Sequence, residues 1–449
     1  MRNLALSFTA LLAGCTAALA TPAPDQVALE SSATAAARAR GPAALVEMLA
    51  QYDAMSPGYP RDALALAIDE VAGQRYATTS RLYWYTDLSA AEAEAHARHV
   101  PILSLRMLGR LDEDLSCANS RLFRSTLYAN KDVRAFLRDH FVLHWSSERP
   151  VPHVTIDFGD GRKLERTTTG NSAHYVLDEH GHVLDVLPGL YAPIAFRQEL
   201  TGSLALADRV RTLDDATRAQ RVVEYQRATA GTADVWLTRL AGVPVVGGRH
   251  RLLTSVDVAS VLATAQRAAM SKARMEVPDL KRFGMDAGTG GEEDVAAWAT
   301  AGQIMYGIGD LAALTAANSD PYGGSFARTQ APAKAPAPPA PHVLDAASRA
   351  LIERLHDAVP RELVATAPQL AAMIDKLEEH VVADTAQSQL RLRPQIARHI
   401  VETGGTASFE DLNAWVYAEV FKTPRSDAWL GLMPRTDFTG LPGDGVVMR

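Results

Sequence analysis

Apolar and polar positions change rhythm three times along the chain. Over residues 35–53 Ala, Leu and Arg recur at helical spacing, broken at Gly41-Pro42. After the turn Ser56-Pro57-Gly58-Tyr59-Pro60 the helical pattern resumes over 62–71. Between 81 and 204 the rhythm becomes one of strands alternating with helices. Leu82-Tyr83-Trp84-Tyr85 reads as a short strand, Ser89 with Glu92 as the capping box of a helix that Pro101 ends, and 102–107 as an apolar strand. A loop over 108–116 leads to a helix starting near Cys117. Asn130 caps a helix with the apolar face Val133, Phe136 and Leu137, and Phe141-Val142-Leu143-His144-Trp145 is a second buried strand. Two hairpins follow, 154–158 with 163–168 about Gly159-Asp160-Gly161, and 175–178 with 183–187 about His180-Gly181. Ala192-Pro193 then opens a helix, with proline in the first turn where its missing N–H costs nothing.

Beyond residue 208 the strand signal gives way to helical spacing over 214–229, 255–275 and 292–316, with Gly-rich breaks at 246–248 and 287–291. Residues 331–341 alternate Ala and Pro, a semi-rigid spacer. Amphipathic helices are expected over 343–358, 362–382, 385–402 (kinked or broken at Pro394) and 409–421. Leu377, Val381, Thr385, Leu390 and Ile396 form a core stripe there, and Glu378, Glu379, Asp384, Arg391 and Arg393 a solvated face. Trp415-Val416-Tyr417, Val420-Phe421 and Trp429-Leu430-Gly431-Leu432 either close this helical domain or form a docking surface for a partner. The expected layout is a signal peptide (1–20), a tether with a helical extension (21–78), an α/β domain (79–204), a helical region (205–328), an Ala/Pro linker (329–341) and a helical C-terminal domain (342–449).

The first residues change the expected location. Met1-Arg2-Asn3, a short apolar run over 4–13 and the exit Gly14-Cys15 are the parts of a secretory signal, and the run falls short of the roughly 20 residues a membrane span needs. Leu12-Ala13-Gly14-Cys15 resembles the bacterial lipobox, in which Cys15 is acylated and anchors the mature chain. Ala18-Leu19-Ala20 offers ordinary signal cleavage instead. The lipobox reading places the protein in the cell envelope, on the periplasmic side of the outer membrane, with the membrane and other envelope proteins as its contacts. The net charge of −7, or −8 once Arg2 is removed with the signal, and the lack of a basic stripe argue against nucleic acid as partner. Of two cysteines, Cys117 alone remains in the mature chain as a free thiol, so stability falls to packed cores.

The order strand, helix, strand, Cys-opened helix, strand, hairpin, helix resembles the thioredoxin superfamily. Pro101-Ile102-Leu103, Cys117, Asn130-Lys131-Asp132-Val133 and Phe141-Val142 carry the likeness, with the closing strands 175–178 and 183–187 around Gly181 and then Pro188-Gly189. The resemblance implies an α/β thioredoxin-like domain, a mixed sheet flanked by helices, followed by a mainly α-helical region. It also implies Cys117 and Ser120 as the candidate catalytic pair. They stand in Cys117-Ala118-Asn119-Ser120, a CxxS in which Ser120 can donate to a thiolate but cannot resolve a mixed disulfide. Where the family carries a cis-proline facing the site, this chain has Asn171, Ser172 and Ala173, the candidate substrate-facing loop. Arg106, Arg110, Arg121 and Arg124 favour a thiolate, while Asp112, Glu113 and Asp114 oppose it.

Two functions follow from these residues. One is a binding or scaffold protein that keeps the fold without the redox couple. The other is a monothiol thiol-disulfide oxidoreductase acting on exported proteins. Neither implies a cofactor. His180 and His182 at the hairpin, and His140, His144 and His153 in one stretch, read as turn and strand histidines, and no metal site is expected.

Overall fold

The computed structural model describes residues 24–167, 170–240, 292–308 and 343–430. The signal segment with Cys15, the expected helix over 255–275, the Ala/Pro spacer and the tail from Gly431 lie outside the described residues.

Three N-terminal helices come first, α1 (Pro24–Ala39), α2 (Pro42–Ala54) and α3 (Tyr59–Ala72). Leu45, Leu49, Leu64, Ile68 and Val71 form their own small core. Proline in the first turn starts both α2 and α3, and Gly73 ends α3 with φ 68°, a left-handed cap that glycine takes without strain. A short helix, α4 (Ala77–Ser80), leads into the 82–85 segment, where the expected strand reduces to one bridge between Tyr85 and His144. The reason lies in Trp84. Its backbone N–H is taken by the Ala72 carbonyl at 2.8 Å and its indole N–H by the Gln74 side chain at 2.6 Å, so Trp84 is fastened to the end of α3 and the residue after it, and Tyr85 bonds β2.

Helix α5 (Leu88–Arg98) is capped by Asp87, whose carboxylate accepts from the Ser89 N–H; Ser89 therefore lies inside the first turn instead of capping it. Strands β1 (Ile102–Leu108), β2 (Val142–Arg149), β5 (Ser172–Leu177) and β6 (Val183–Pro188) make a four-stranded mixed sheet in the order β2-β1-β5-β6. β1 and β2 are parallel, and the other two pairings are antiparallel. The parallel pair is joined through α6 (Ala118–Leu122), a π turn (Phe123–Leu127) and α7 (Lys131–His140). The Asn130 side chain accepts from the N–H groups of Asp132 and Val133 at the start of α7, a cap that stabilises by about 1 kcal/mol. β3 (His153–Asp157) and β4 (Lys163–Thr167) form a separate two-stranded hairpin. Its exposed and half-buried positions mostly alternate, as period 2 requires when one face is solvated.

β1 is buried at every position, as expected of a central strand covered on both faces. Leu103, Leu105, Trp145 and His174 share one face, on which Phe123 and Phe196 lie 4.7 and 4.9 Å from the His174 ring. Phe196 comes from α8 (Pro193–Val210), which follows β6 directly. Ser104, Arg106, His144 and Tyr175 face the other way.

That second face is covered from far along the chain, by α14 (Phe409–Trp415) and its π-turn continuation Val416–Val420. Phe409 stacks edge-on at 4.9 Å against Tyr175, and the Arg106 guanidinium lies 4.6 Å over Phe409. One apolar core thus runs from Leu82 through the sheet to Leu430.

The remaining helices are α9 (Asp215–Leu240), α10 (Glu292–Tyr306), α11 (Ala346–His356), α12 (Ala367–Gln387) and α13 (Arg393–Glu402). A π turn, Ser388–Leu392, separates α12 from α13, and Pro394 sits in the first turn of α13. Of the face expected to be solvated, Glu379 is exposed, but Glu378, Asp384 and Arg393 are buried. The helices here are covered on more than one side. Glu378 receives Arg349 at 2.6 Å, and Arg393 donates at 2.5 Å to both Asp185 of β6 and Glu199 of α8. Among the described residues no helix is long and apolar enough to cross a membrane.

Candidate functional site

Cys117 stands where β1 hands over to α6. Its N–H donates to the Leu108 carbonyl at 3.2 Å, and it occupies the N-cap position with extended backbone. The side chain has 0% exposure and belongs to the main core. It lies close enough to the phenols of Tyr128 and Tyr417 that its negative form would oppose their ionisation. Burial is the larger reason that both phenols are held well above the ordinary tyrosine range.

The rest of the CxxS motif turns away from the sulphur. The Ser120 hydroxyl is 2.5 Å from Ser116 Oγ and 2.8 Å from the Cys117 carbonyl, the local back-bond that serine makes inside a helix. Asn119 reaches across to the strand opposite, donating to the Gly170 carbonyl and to Ser172 Oγ at 2.9 Å.

Each of the four arginines near the motif is already engaged. Arg106 pairs with Glu410, Arg110 with Asp112 and Glu113, and Arg121 donates to Thr167 Oγ1 at 2.7 Å. Arg124 is buried and binds the 111–116 loop through the carbonyls of Leu111, Glu113 and Asp114 and through Ser116 Oγ at 3.1 Å. Burial lowers its pKa to about 10, which leaves it a cation at neutral pH. Burial alone would raise the carboxyl of Asp114, but Arg75 and the Tyr76 hydroxyl bond it and hold it below the usual range. Arg75, Arg110, Arg124 and the acids at 112–114 therefore build the loop before Cys117, while Arg106 and Arg121 tie to the C-terminal cover and to β4.

Asn171, Ser172 and Ala173 open β5 directly across from β1, with Ser172 opposite Met107 and Ala173 opposite Arg106. The sheet thus brings the loop beside the CxxS helix, and the Asn119 bonds join the two. The loop's outward groups, however, are occupied. The Tyr417 hydroxyl donates to the Asn171 carbonyl at 3.2 Å, and the Asn171 amide donates to Thr423 Oγ1 at 3.2 Å.

An ionic fringe holds this cover down. Arg425 pairs with Glu148, Asn413 donates to Glu148 at 2.7 Å, and Arg149 donates to the Asp427 carbonyl at 2.7 Å. The Glu148 side chain is 1% exposed. Burial pushes its carboxyl upward, but bonds from Arg425 and Asn413 outweigh that and hold it low. The aromatic density at 415–421 was visible in the sequence. Glu410, Asn413, Thr423 and Arg425 carried no local signal, because their partners lie hundreds of residues away.

Beneath the cover, His144 accepts from or donates to Ser104 Oγ at 2.8 Å, and burial, with Arg106 nearby, lowers its pKa to about 4. On the opposite face His174 pairs with the Tyr128 hydroxyl at 2.7 Å, and burial lowers it to about 3. Both are neutral core histidines at neutral pH, and neither is open to a substrate. Searches of protein-family profiles, curated proteins and solved structures return no match to this chain.

Proposed function

We propose that this chain is an envelope-located, thioredoxin-like binding or scaffold protein whose redox site has become part of its core. One observation carries the reading: Cys117 is sealed under its own C-terminal segment, with the docking edge at Asn171 filled by Tyr417 and Thr423. The β2-β1-β5-β6 order, with the CxxS after the first of these strands in sequence and an antiparallel pair closing the sheet, supports the resemblance. The lipobox at Leu12-Ala13-Gly14-Cys15 supports anchorage at the membrane. The catalytic alternative, a monothiol oxidoreductase using Cys117 and Ser120, requires the 409–427 cover to leave.

Alkylation of Cys117 in the folded chain starting after Ala20, where it is the single thiol, tests the reading. Labelling that waits for denaturation supports a binding protein. Rapid labelling in the folded state, with an apparent pKa well below the free-thiol value of about 8.5, refutes it in favour of the oxidoreductase.

A further inference from the structure

Histidines and carboxylates gather at one edge of the sheet, away from Cys117. Helix α5 ends there with His96 and His99, three residues apart, and His99 takes a left-handed backbone (φ 55°) at the helix cap. The β5–β6 turn brings Glu179 and His180 against them. Glu179 Oε1 lies 3.6 Å from His96 Nδ1 and 3.8 Å from His180 Nε2, and its Oε2 lies 3.7 Å from His99 Nδ1. The ring of His96 is 6.1 Å from that of His99 and 5.9 Å from that of His180.

The turn is firmly placed. Asp178 accepts from the backbone N–H groups of His180 and His182 and lies 3.0 Å from His182 Nδ1. Gly181, at φ 81°, sits so close to Glu92 of α5 that a Cβ there would meet the Glu92 carboxylate at 2.5 Å.

Two further observations point to a bound ion. Glu179 Oε2 is buried without a hydrogen-bond partner, an arrangement that is costly for a charged group unless something else satisfies it. Beside it is a cavity of about 30 Å³ lined by His99, Asp178, Glu179, His180, Asp208 and Arg211, the room of one water or one ion. The nearby guanidiniums are engaged elsewhere, Arg211 by Asp208 and Arg218 by Asp215 and Asp178. Arg211 lines the same cavity, where it also donates to the His99 carbonyl at 3.0 Å, and the side chains within 4 Å of the Glu179 carboxylate are the rings of His96, His99 and His180.

We propose that His96, His180 and Glu179, with His99 as a further donor, bind a divalent transition-metal ion of the zinc class. Nitrogen donors with one carboxylate select zinc and its neighbours over magnesium or calcium. As they stand, no group of three or more His, Cys, Asp or Glu side chains among the described residues is placed to hold a metal ion, so the proposed site forms only when the rings turn onto the ion. A tetrahedral ion with bonds of about 2.0–2.1 Å holds its donors about 3.3–3.4 Å apart. The observed 3.6–3.8 Å is wider by a few tenths of an ångström. The rings are exposed, His96 at 65% and His180 at 58%, and would have to turn about their side-chain bonds to bring their nitrogens onto one ion. The ion would tie the end of α5 to the β5–β6 turn.

Calorimetric titration of the mature chain with zinc chloride at pH 7.5 tests the proposal, repeated with magnesium in excess. One zinc per chain is expected, undisturbed by magnesium. His96→Ala, His180→Ala and Glu179→Gln should each weaken binding at least tenfold, while His153→Ala, on the separate hairpin, leaves it unchanged. Urea midpoints without metal establish that the variants fold. Folded cluster variants that bind zinc as tightly as the parent, a parent with no stoichiometric site, or zinc displaced by magnesium would each overturn it.

Discussion

Arg393 shows how much one buried residue can decide. Its guanidinium bridges Asp185 and Glu199 inside the protein, with the Tyr225 hydroxyl at 3.3 Å and Gln389 at 3.2 Å as further partners of its two terminal nitrogens. Coulombic attraction from Asp185, Tyr225 and Glu199 overcomes a large burial penalty and raises its pKa well above the usual value. Removing one partner from such a set strands the other charges, a loss of about 3–5 kcal/mol. Arg393→Ala is therefore expected to lower the urea midpoint steeply, and to lose less when Asp185→Asn is already present. Equal losses in both backgrounds would show the charges to be uncoupled. The two core histidines give a second expectation. Both have folded pKa values depressed to about 4 and about 3, against 6.5 when free. The unfolded chain thus takes up their protons first as pH falls. Their neutral burial costs nothing above pH 6.5, and stability declines below it by about 1.4 kcal/mol per pH unit for each histidine. Urea midpoints at pH 7 and pH 5 should differ in that direction; a flat profile would mean that water reaches these rings in the folded state.

Among the elements, the strands were the most legible. Runs such as Ile102-Leu103 and Phe141-Val142 are apolar on both faces and bounded by turn residues, so local pattern and final burial agree. The 82–85 segment has equal strand character, yet Trp84 is captured by Ala72 and Gln74, and that competition is not written in the segment itself. The burial of Glu378 and Arg393 was illegible for a related reason: a charged helix face looks solvated until its distant counter-charges are known. Gly302 of α10 follows the same logic. In an isolated helix its replacement by alanine would stabilise by about 1 kcal/mol. Here the added Cβ would stand 2.6 Å from the Val382 carbonyl of α12, and overpacking of that kind costs about 1–3 kcal/mol. Crowding against fixed backbone should win, so Gly302→Ala is expected to lower the melting temperature. A rise would show that α10 and α12 can separate at little cost.

The candidate site was readable as a motif but not as a buried one, because burial is a property of the whole molecule. Cys117, Asn119 and Asn171 do converge, and what closes over them is chain from 409–427. Its ionic fringe offers a way to loosen the cover. Arg425→Ala deprives Glu148 of its cation while leaving the apolar contacts of Phe409 and Tyr417 in place. Local opening is then expected to become easier than global unfolding. Native-state alkylation of Cys117 should accelerate at least tenfold, with a smaller fractional change in the urea midpoint. Acceleration that merely tracks global stability would mean the cover and the sheet unfold together.

The distance along the chain between the sheet and its cover has a consequence for biosynthesis. All four strands of the sheet are present once Pro188 has been made, but the covering helix begins at Phe409. At about 5–20 residues per second, roughly ten to forty seconds separate the synthesis of the last strand from that of its cover, and a sheet that pairs without the cover leaves one face, including Tyr175 and the paths to Cys117, bare. A ribosome stalled between Pro188 and Phe409 would release a molecule that has every strand of the sheet and none of its cover. Such a product would be the form of this protein most exposed to chaperones, to proteases and to thiol chemistry that the finished chain shuts out.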